Sequence, residues 1–65
     1  MAVINGKNEP EADGRKLSEY LEEKGYSQIR IAVECDGEIV PKSSYADKVI
    51  RDGEIIGIVS FVGGG

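Results

Sequence analysis

The sequence predicts an α+β domain: a mixed sheet of four to five strands with one main helix packed across one face. Three observations carry this expectation. Residues 15–24 have helical periodicity, residues 29–35 alternate with period two, and Asn5-Gly6, Asp36-Gly37 and Asp52-Gly53 fall where apolar runs break off and resume.

Taken in order, residues 1–4 form a short apolar run that stops at Asn5-Gly6. Both residues of that pair tolerate the positive φ of a type I′ turn, so a strand and a reversal are expected. Residues 7–12 are polar and contain Pro10, which has no N–H to give to a ladder; a second strand here suits only a sheet edge. In residues 15–24, Leu17, Tyr20 and Leu21 fall at i, i+3 and i+4 while Lys16, Ser18, Glu19, Glu22 and Glu23 occupy the rest of the wheel. Asp13 is placed as N-cap of this helix and Gly25 as its C′ residue. Ile29, Ile31, Val33 and Cys35 alternate with Arg30, Ala32, Glu34 and Asp36, which predicts a strand with one buried face and the cysteine in the buried register. Asp36-Gly37 turns the chain into Glu38-Ile39-Val40, and Pro41 ends the pairing. Residues 42–50 are expected to be a loop with a helical turn, with Tyr45, Val49 and Ala46 facing inward. Asp52-Gly53 launches residues 55–62, the most apolar strand.

Composition narrows function. A chain of 65 residues holds one domain near the lower size limit for independent folding, so no second domain is expected. With one cysteine and no histidine, an internal disulfide and the commonest metal ligand and general base are all missing. Twelve acidic against eight basic residues give a net charge of −4, and the basic residues form no stripe, so nucleic acid is not an expected partner. No apolar run approaches a membrane span and no secretory pattern is present; the expectation is a reducing cytoplasmic setting with no membrane partner.

The order of elements, Ile39-Val40-Pro41-Lys42 with an aromatic at Tyr45, Val49-Ile50-Arg51-Asp52-Gly53-Glu54, and the ending Val62-Gly63-Gly64-Gly65 together resemble the ThiS-type sulfur carrier proteins of thiamine biosynthesis, over nearly the full length. The resemblance implies the β-grasp fold of ubiquitin, with the last strand beside and parallel to the first in the centre of the sheet. It implies a β-grasp domain over residues 1–62 and a flexible Gly tail over residues 63–65. Several positions depart from the family pattern: a polar second strand, Lys16 where Thr or Ser often caps the helix, Cys35 where an aliphatic is common, and Tyr45 where Trp is common.

The resemblance also implies a chemistry. A terminal carboxylate titrates near roughly 3.3–3.7, so at neutral pH it is an ionised, poor electrophile that needs activation. A ThiF-type adenylating enzyme using ATP and magnesium would convert the Gly65 carboxylate into an acyl-adenylate. A sulfur donor of the cysteine desulfurase type would displace AMP to leave a thiocarboxylate, and a thiazole synthase would receive the sulfur. The chain would bind no cofactor, supply no catalytic side chain, act as a co-substrate rather than an enzyme, and be a monomer when free. Gly63 and Gly64 have a physical reason: without Cβ atoms, a three-residue tail reaching about 10 Å can thread a narrow channel.

Other residues are candidates for other roles. Cys35 alternates with Glu34 and Asp36 on a buried face, which favours an inert core thiol over a reactive one. Glu9, Glu11 and Asp13 suit a solvated edge better than a metal site. In the last strand, Ile56, Ile58 and Val62 fall on one side and Ile55, Val59 and Phe61 on the other. One helix covers one face, so Ile55, Val59 and Phe61 are read as a partner interface centred on Phe61, with cover by residues 42–50 as the competing explanation. Alternatives for function are the small subunit of molybdopterin synthase, a carrier feeding tRNA thiolation, a ubiquitin-like modifier, and a plain β-grasp binding module.

Overall fold

The structure is a computed structural model and describes residues 1–61; Val62 and the expected tail, Gly63, Gly64 and Gly65, lie outside the described residues. Strands β1 (Ala2–Ile4) and β2 (Lys7–Glu9) form the first hairpin, and β3 (Ile31–Cys35) and β4 (Glu38–Val40) the second. Helix α1 (Leu17–Glu23) connects them, and β5 (Ile55–Ser60) completes the sheet. The sheet order is β2-β1-β5-β3-β4, with β5 parallel to β1 and antiparallel to β3. This is the expected mixed sheet with one main helix, and the last strand lies in its centre.

Turn chemistry sets the hairpins. Asn5 and Gly6 have φ of 51° and 82°, and Asp36 and Gly37 have 52° and 86°, the paired left-handed geometry whose twist matches that of the flanking strands. Both turns also hold β5. The Asn5 N–H donates to the Ile56 carbonyl at 2.9 Å, and its Oδ1 accepts from the Ile58 N–H at 2.7 Å, so one side chain continues the ladder where β1 has ended. On the other side, the Asp36 N–H donates to the Ile55 carbonyl at 2.8 Å, and Asp36 Oδ1 accepts from the Ile55 N–H at 2.9 Å.

Leu17, Tyr20 and Leu21 are buried as the helical period requires, against Ala2, Ile4, Ile31, Val33, Ile56 and Ile58 from the sheet. Gly25, with φ 83°, ends α1 in a Schellman arrangement: its N–H donates to the Glu22 carbonyl and that of Tyr26 to the Leu21 carbonyl.

Five local expectations are corrected. The second strand stops at Glu9, and Pro10–Ala12 turn as a 3₁₀ helix, since Pro10 fits the start of a helical turn better than a strand. The helix starts at Leu17 with Lys16 at the N-cap, so Asp13 does not cap it. Asp13 Oδ1 instead accepts the Ala2 N–H at 2.8 Å, and Oδ2 lies 3.5 Å from the N-terminal ammonium. The first helical N–H groups find partners in the loop: Leu17 donates to the Lys48 carbonyl and Ser18 to that of Tyr45. Ile29 belongs to a 3₁₀ turn (Gln28–Arg30) rather than β3, and it is 77% exposed. In the loop, Tyr45 and Ile50 are buried, Val49 is half-buried and Ala46 is exposed. The Ile50 N–H donates to the Arg15 carbonyl, which turns Ile50 inward. Finally, Cys35 is half-buried at the core margin rather than within it.

Candidate functional site

The face of the sheet away from α1 carries four of the six exposed large hydrophobic residues among the described residues. Along β5, Ile56 and Ile58 are buried under the helix, whereas Ile55 is 63% exposed, Val59 62% and Phe61 49%. Register extends the surface sideways. Val3 pairs with Ile55 and Ala32 with Val59, and Ile39, 64% exposed, stands across β3 on the same face. Residues 42–50 leave Ile55 and Val59 open: most of their backbone hydrogen bonds to the rest of the chain run to the start of α1, at Arg15, Leu17 and Ser18, and Lys16 bridges Val49, while Lys42 and Tyr45 reach only the Phe61 end of the face. Ile39 was missed in the sequence because the three-residue run of β4 is too short for alternation to assign its faces.

Phe61 follows directly on β5. Its N–H donates to the Arg30 carbonyl at 2.7 Å, which holds the chain to the 3₁₀ turn before β3 as it leaves the sheet. A shallow hollow of about 190 Å³ opens beside it, lined by Ala32, Ile39, Pro41, Lys42 and Tyr45 among others. The Lys42 ammonium donates to the carbonyls of Ile31 at 2.7 Å and Gln28 at 3.1 Å, so it braces the backbone where β3 begins. The three expected interface residues thus share one face, and the described chain ends at its margin. Gly63, Gly64 and Gly65 lie outside the described residues.

A second cluster sits at the opposite end of β5. Lys48 Nζ lies 3.2 Å and 3.0 Å from the two Glu54 oxygens, and Glu54 Oε1 also accepts the Arg51 N–H at 2.8 Å. Burial alone would raise the Glu54 carboxyl, but the Arg51 N–H and the Lys48 ammonium outweigh it and hold it below the usual range. Burial likewise opposes the charge on Lys48, and the Glu54 carboxylate reverses this, so the ammonium is held above its ordinary value. Beside the pair, burial and then the Glu54 carboxylate push the Cys35 thiol up. A thiol kept protonated beside a carboxylate is a poor nucleophile. Cys35, Asp36 and Glu54 offer ligand atoms within 4.8 Å of one another, but Glu54 is engaged by Lys48 and Asp36 by Ile55. Their geometry is that of a tie between the loop, a hairpin and β5.

Of the acidic residues near β2, Glu9 and Asp13 are engaged internally, and Glu11 is exposed. Glu9 Oε1 accepts the Tyr20 hydroxyl at 3.1 Å, and burial followed by this contact pushes the phenol up to about 12. Tyr20 is therefore a neutral donor tying α1 to the sheet edge.

Comparison with known proteins places the chain in a family and agrees with its fold. The model of the ThiS family matches residues 2–65. The chain belongs to the ThiS family. Among curated proteins, it is 32% identical over 65 residues to the sulfur carrier protein ThiS of Thermus thermophilus, covering 100% of both chains. It is also 43% identical over 63 residues to a thiazole synthase of Paramagnetospirillum magneticum, covering 97% of this chain but only 19% of that protein. The chain therefore spans under a fifth of that relative's length. Among solved structures, the crystal structure of the thiamine biosynthesis protein ThiS from Geobacter metallireducens superposes with a TM-score of 0.76 at 25% identity, covering 98% of this chain and 97% of that one. The fold is thus the β-grasp expected from the sequence. No helix among the described residues is long and apolar enough to cross a membrane.

Proposed function

We propose that this chain is a sulfur carrier of thiamine biosynthesis, loaded at Gly65 and docked on its partners through the open face of the sheet. The observation that carries the reading is end-to-end similarity: the family model runs through residue 65, and the Thermus carrier aligns over its whole length. The described side chains offer no competing reaction centre. Histidine is absent, Cys35 is held as a thiol, and the carboxylates of Glu54 and Asp36 are tied to neighbours.

In this reading a partner adenylating enzyme uses ATP and magnesium. A Gly65 carboxylate oxygen attacks the α-phosphorus of ATP, pyrophosphate leaves, and the acyl carbon becomes electrophilic. A donor delivering sulfur at the sulfide level then attacks that carbon, AMP departs with the bridging oxygen, and a thiocarboxylate remains. A thiazole synthase accepts the sulfur, and water ultimately returns the oxygen. The carrier contributes an accessible acyl group and a docking surface, and it acts as co-substrate rather than enzyme. Similarity to a segment of a thiazole synthase supports that enzyme as the receiving partner. The open face, with Ile55, Val59 and Phe61 on β5, supports docking, because an apolar surface left by a folded core marks an interaction site.

Intact mass after incubation with ATP, magnesium, a sulfur donor and the adenylating enzyme tests the reading. Exchange of one oxygen for one sulfur is expected. Covalent adducts on lysines would favour a modifier, and an unchanged mass would favour a plain binding module.

A further inference from the structure

Gly57 occupies the middle of the central strand, where glycine is disfavoured because it offers no side chain to pack and costs backbone entropy. Nothing among the described residues calls for it. Its φ lies outside the left-handed region, and a Cβ built there meets no atom within 4 Å. A glycine in a strand interior with neither strain nor crowding leaves close approach by another molecule as its physical use. Its surroundings state what approaches. Gly57 pairs directly with Glu34, and Ile39 stands across Glu34 on the next strand. Ile55 and Val59 flank it along β5, both exposed. The result is a notch in an apolar face with one carboxylate on its wall. Among the described residues, no ion pair or hydrogen bond engages the exposed Glu34 side chain; other exposed carboxylates are also free, but Glu34 is the one whose register places it between Gly57 and Ile39 on the apolar face.

We propose that the notch over Gly57 receives a single lysine or arginine side chain from an apolar partner surface, which pairs with Glu34 as Ile39, Ile55 and Val59 close around it. The partner is the thiazole synthase, and the inference rests on the docking reading given above. An apolar ring that excludes water strengthens a charge pair at its centre, and it makes loss of one member costly. Glu34 therefore sets which partner surfaces fit, while the apolar ring supplies contact area.

The test is calorimetric titration of the source organism's thiazole synthase with the full chain carrying Gly57→Thr, Glu34→Gln or Phe61→Asp, each melted in parallel. Threonine suits a strand and fills the notch, so Gly57→Thr should melt no lower than the parent yet bind roughly tenfold or more weakly. Glu34→Gln should bind weaker by a similar factor at low salt and lose much of the parent's salt dependence. If both bind as the parent does while Phe61→Asp binds weakly, the notch is overturned and the docking face stands. If all three bind as the parent does, the docking face falls and the notch with it. Sulfur loading of the parent, measured by mass, reports separately on the carrier reading.

Discussion

The two faces of the sheet carry nearly the same residue types on β5 and meet opposite fates. Ile56 and Ile58 are sealed beneath α1, while Ile55 and Val59, one residue away, remain more than half exposed. Hydrophobicity does not separate the two pairs; parity does, because a strand sends successive side chains to opposite faces and one helix covers only one of them. The covered face makes the domain fold. The open face is surplus to folding, and it is the surface the proposed docking would use.

The comparison is broken most directly from the covered side. Leu21→Ala removes a fully buried side chain of α1, and it should cost about 2–5 kcal/mol, a large part of the stability of so small a domain. Urea denaturation reads this as a lowered midpoint with unchanged slope. Val59→Ser on the open face should shift stability by no more than about 0.5 kcal/mol in the same experiment. A loss at Val59 approaching that at Leu21 would mean that both faces belong to the core.

Much of this division was legible in the sequence. Asx-Gly pairs fixed the hairpins because so few residues accept their backbone geometry. The Leu17, Tyr20, Leu21 spacing placed the helix, and the double apolar alternation of β5 implied the surplus face. What was not legible turned on partners remote in sequence. Asp13 looked like a cap, but the Ala2 N–H and the terminal ammonium claim it, while carbonyls of Tyr45 and Lys48 take up the free helical N–H groups. Ile29 continued the alternation of β3 in sequence, but a 3₁₀ turn precedes the strand and sends it outward. Ile50 faces inward because Arg15 holds its backbone, a contact no local pattern announces. At the site, Ile39 and the pairing of Glu34 with Gly57 required the register, whereas the candidate residues Ile55, Val59 and Phe61 followed from parity alone.

The Lys48 and Glu54 pair sharpens the comparison from the rim between the faces. Glu54 titrates below the ordinary carboxylate range in the folded protein, so folding is favoured by its ionisation. That contribution is fully present above the unfolded value, near roughly 4.3, and is lost as pH falls through the depressed folded value. Glu54→Gln should flatten the acid limb of a melting-temperature profile and lower stability at neutral pH by about 1–3 kcal/mol. Lys48 shows the opposite sign: its raised value favours folding below the ordinary lysine range, and that contribution disappears as pH rises through the folded value.

A smaller effect is expected at Asp13. Replacing it with Ala leaves the part-buried Ala2 N–H without its acceptor, at a cost of about 1 kcal/mol. Amide exchange at Ala2 should quicken, with little change at β3 and β4.

The central claim is that sulfur is carried on the chain's end and not on its one thiol. Fragmentation mass spectrometry of the loaded protein separates these two places. The account predicts a C-terminal fragment in which one oxygen of Gly65 has been replaced by sulfur, with Cys35 unmodified. Sulfur added to Cys35 with every oxygen of Gly65 retained would contradict it.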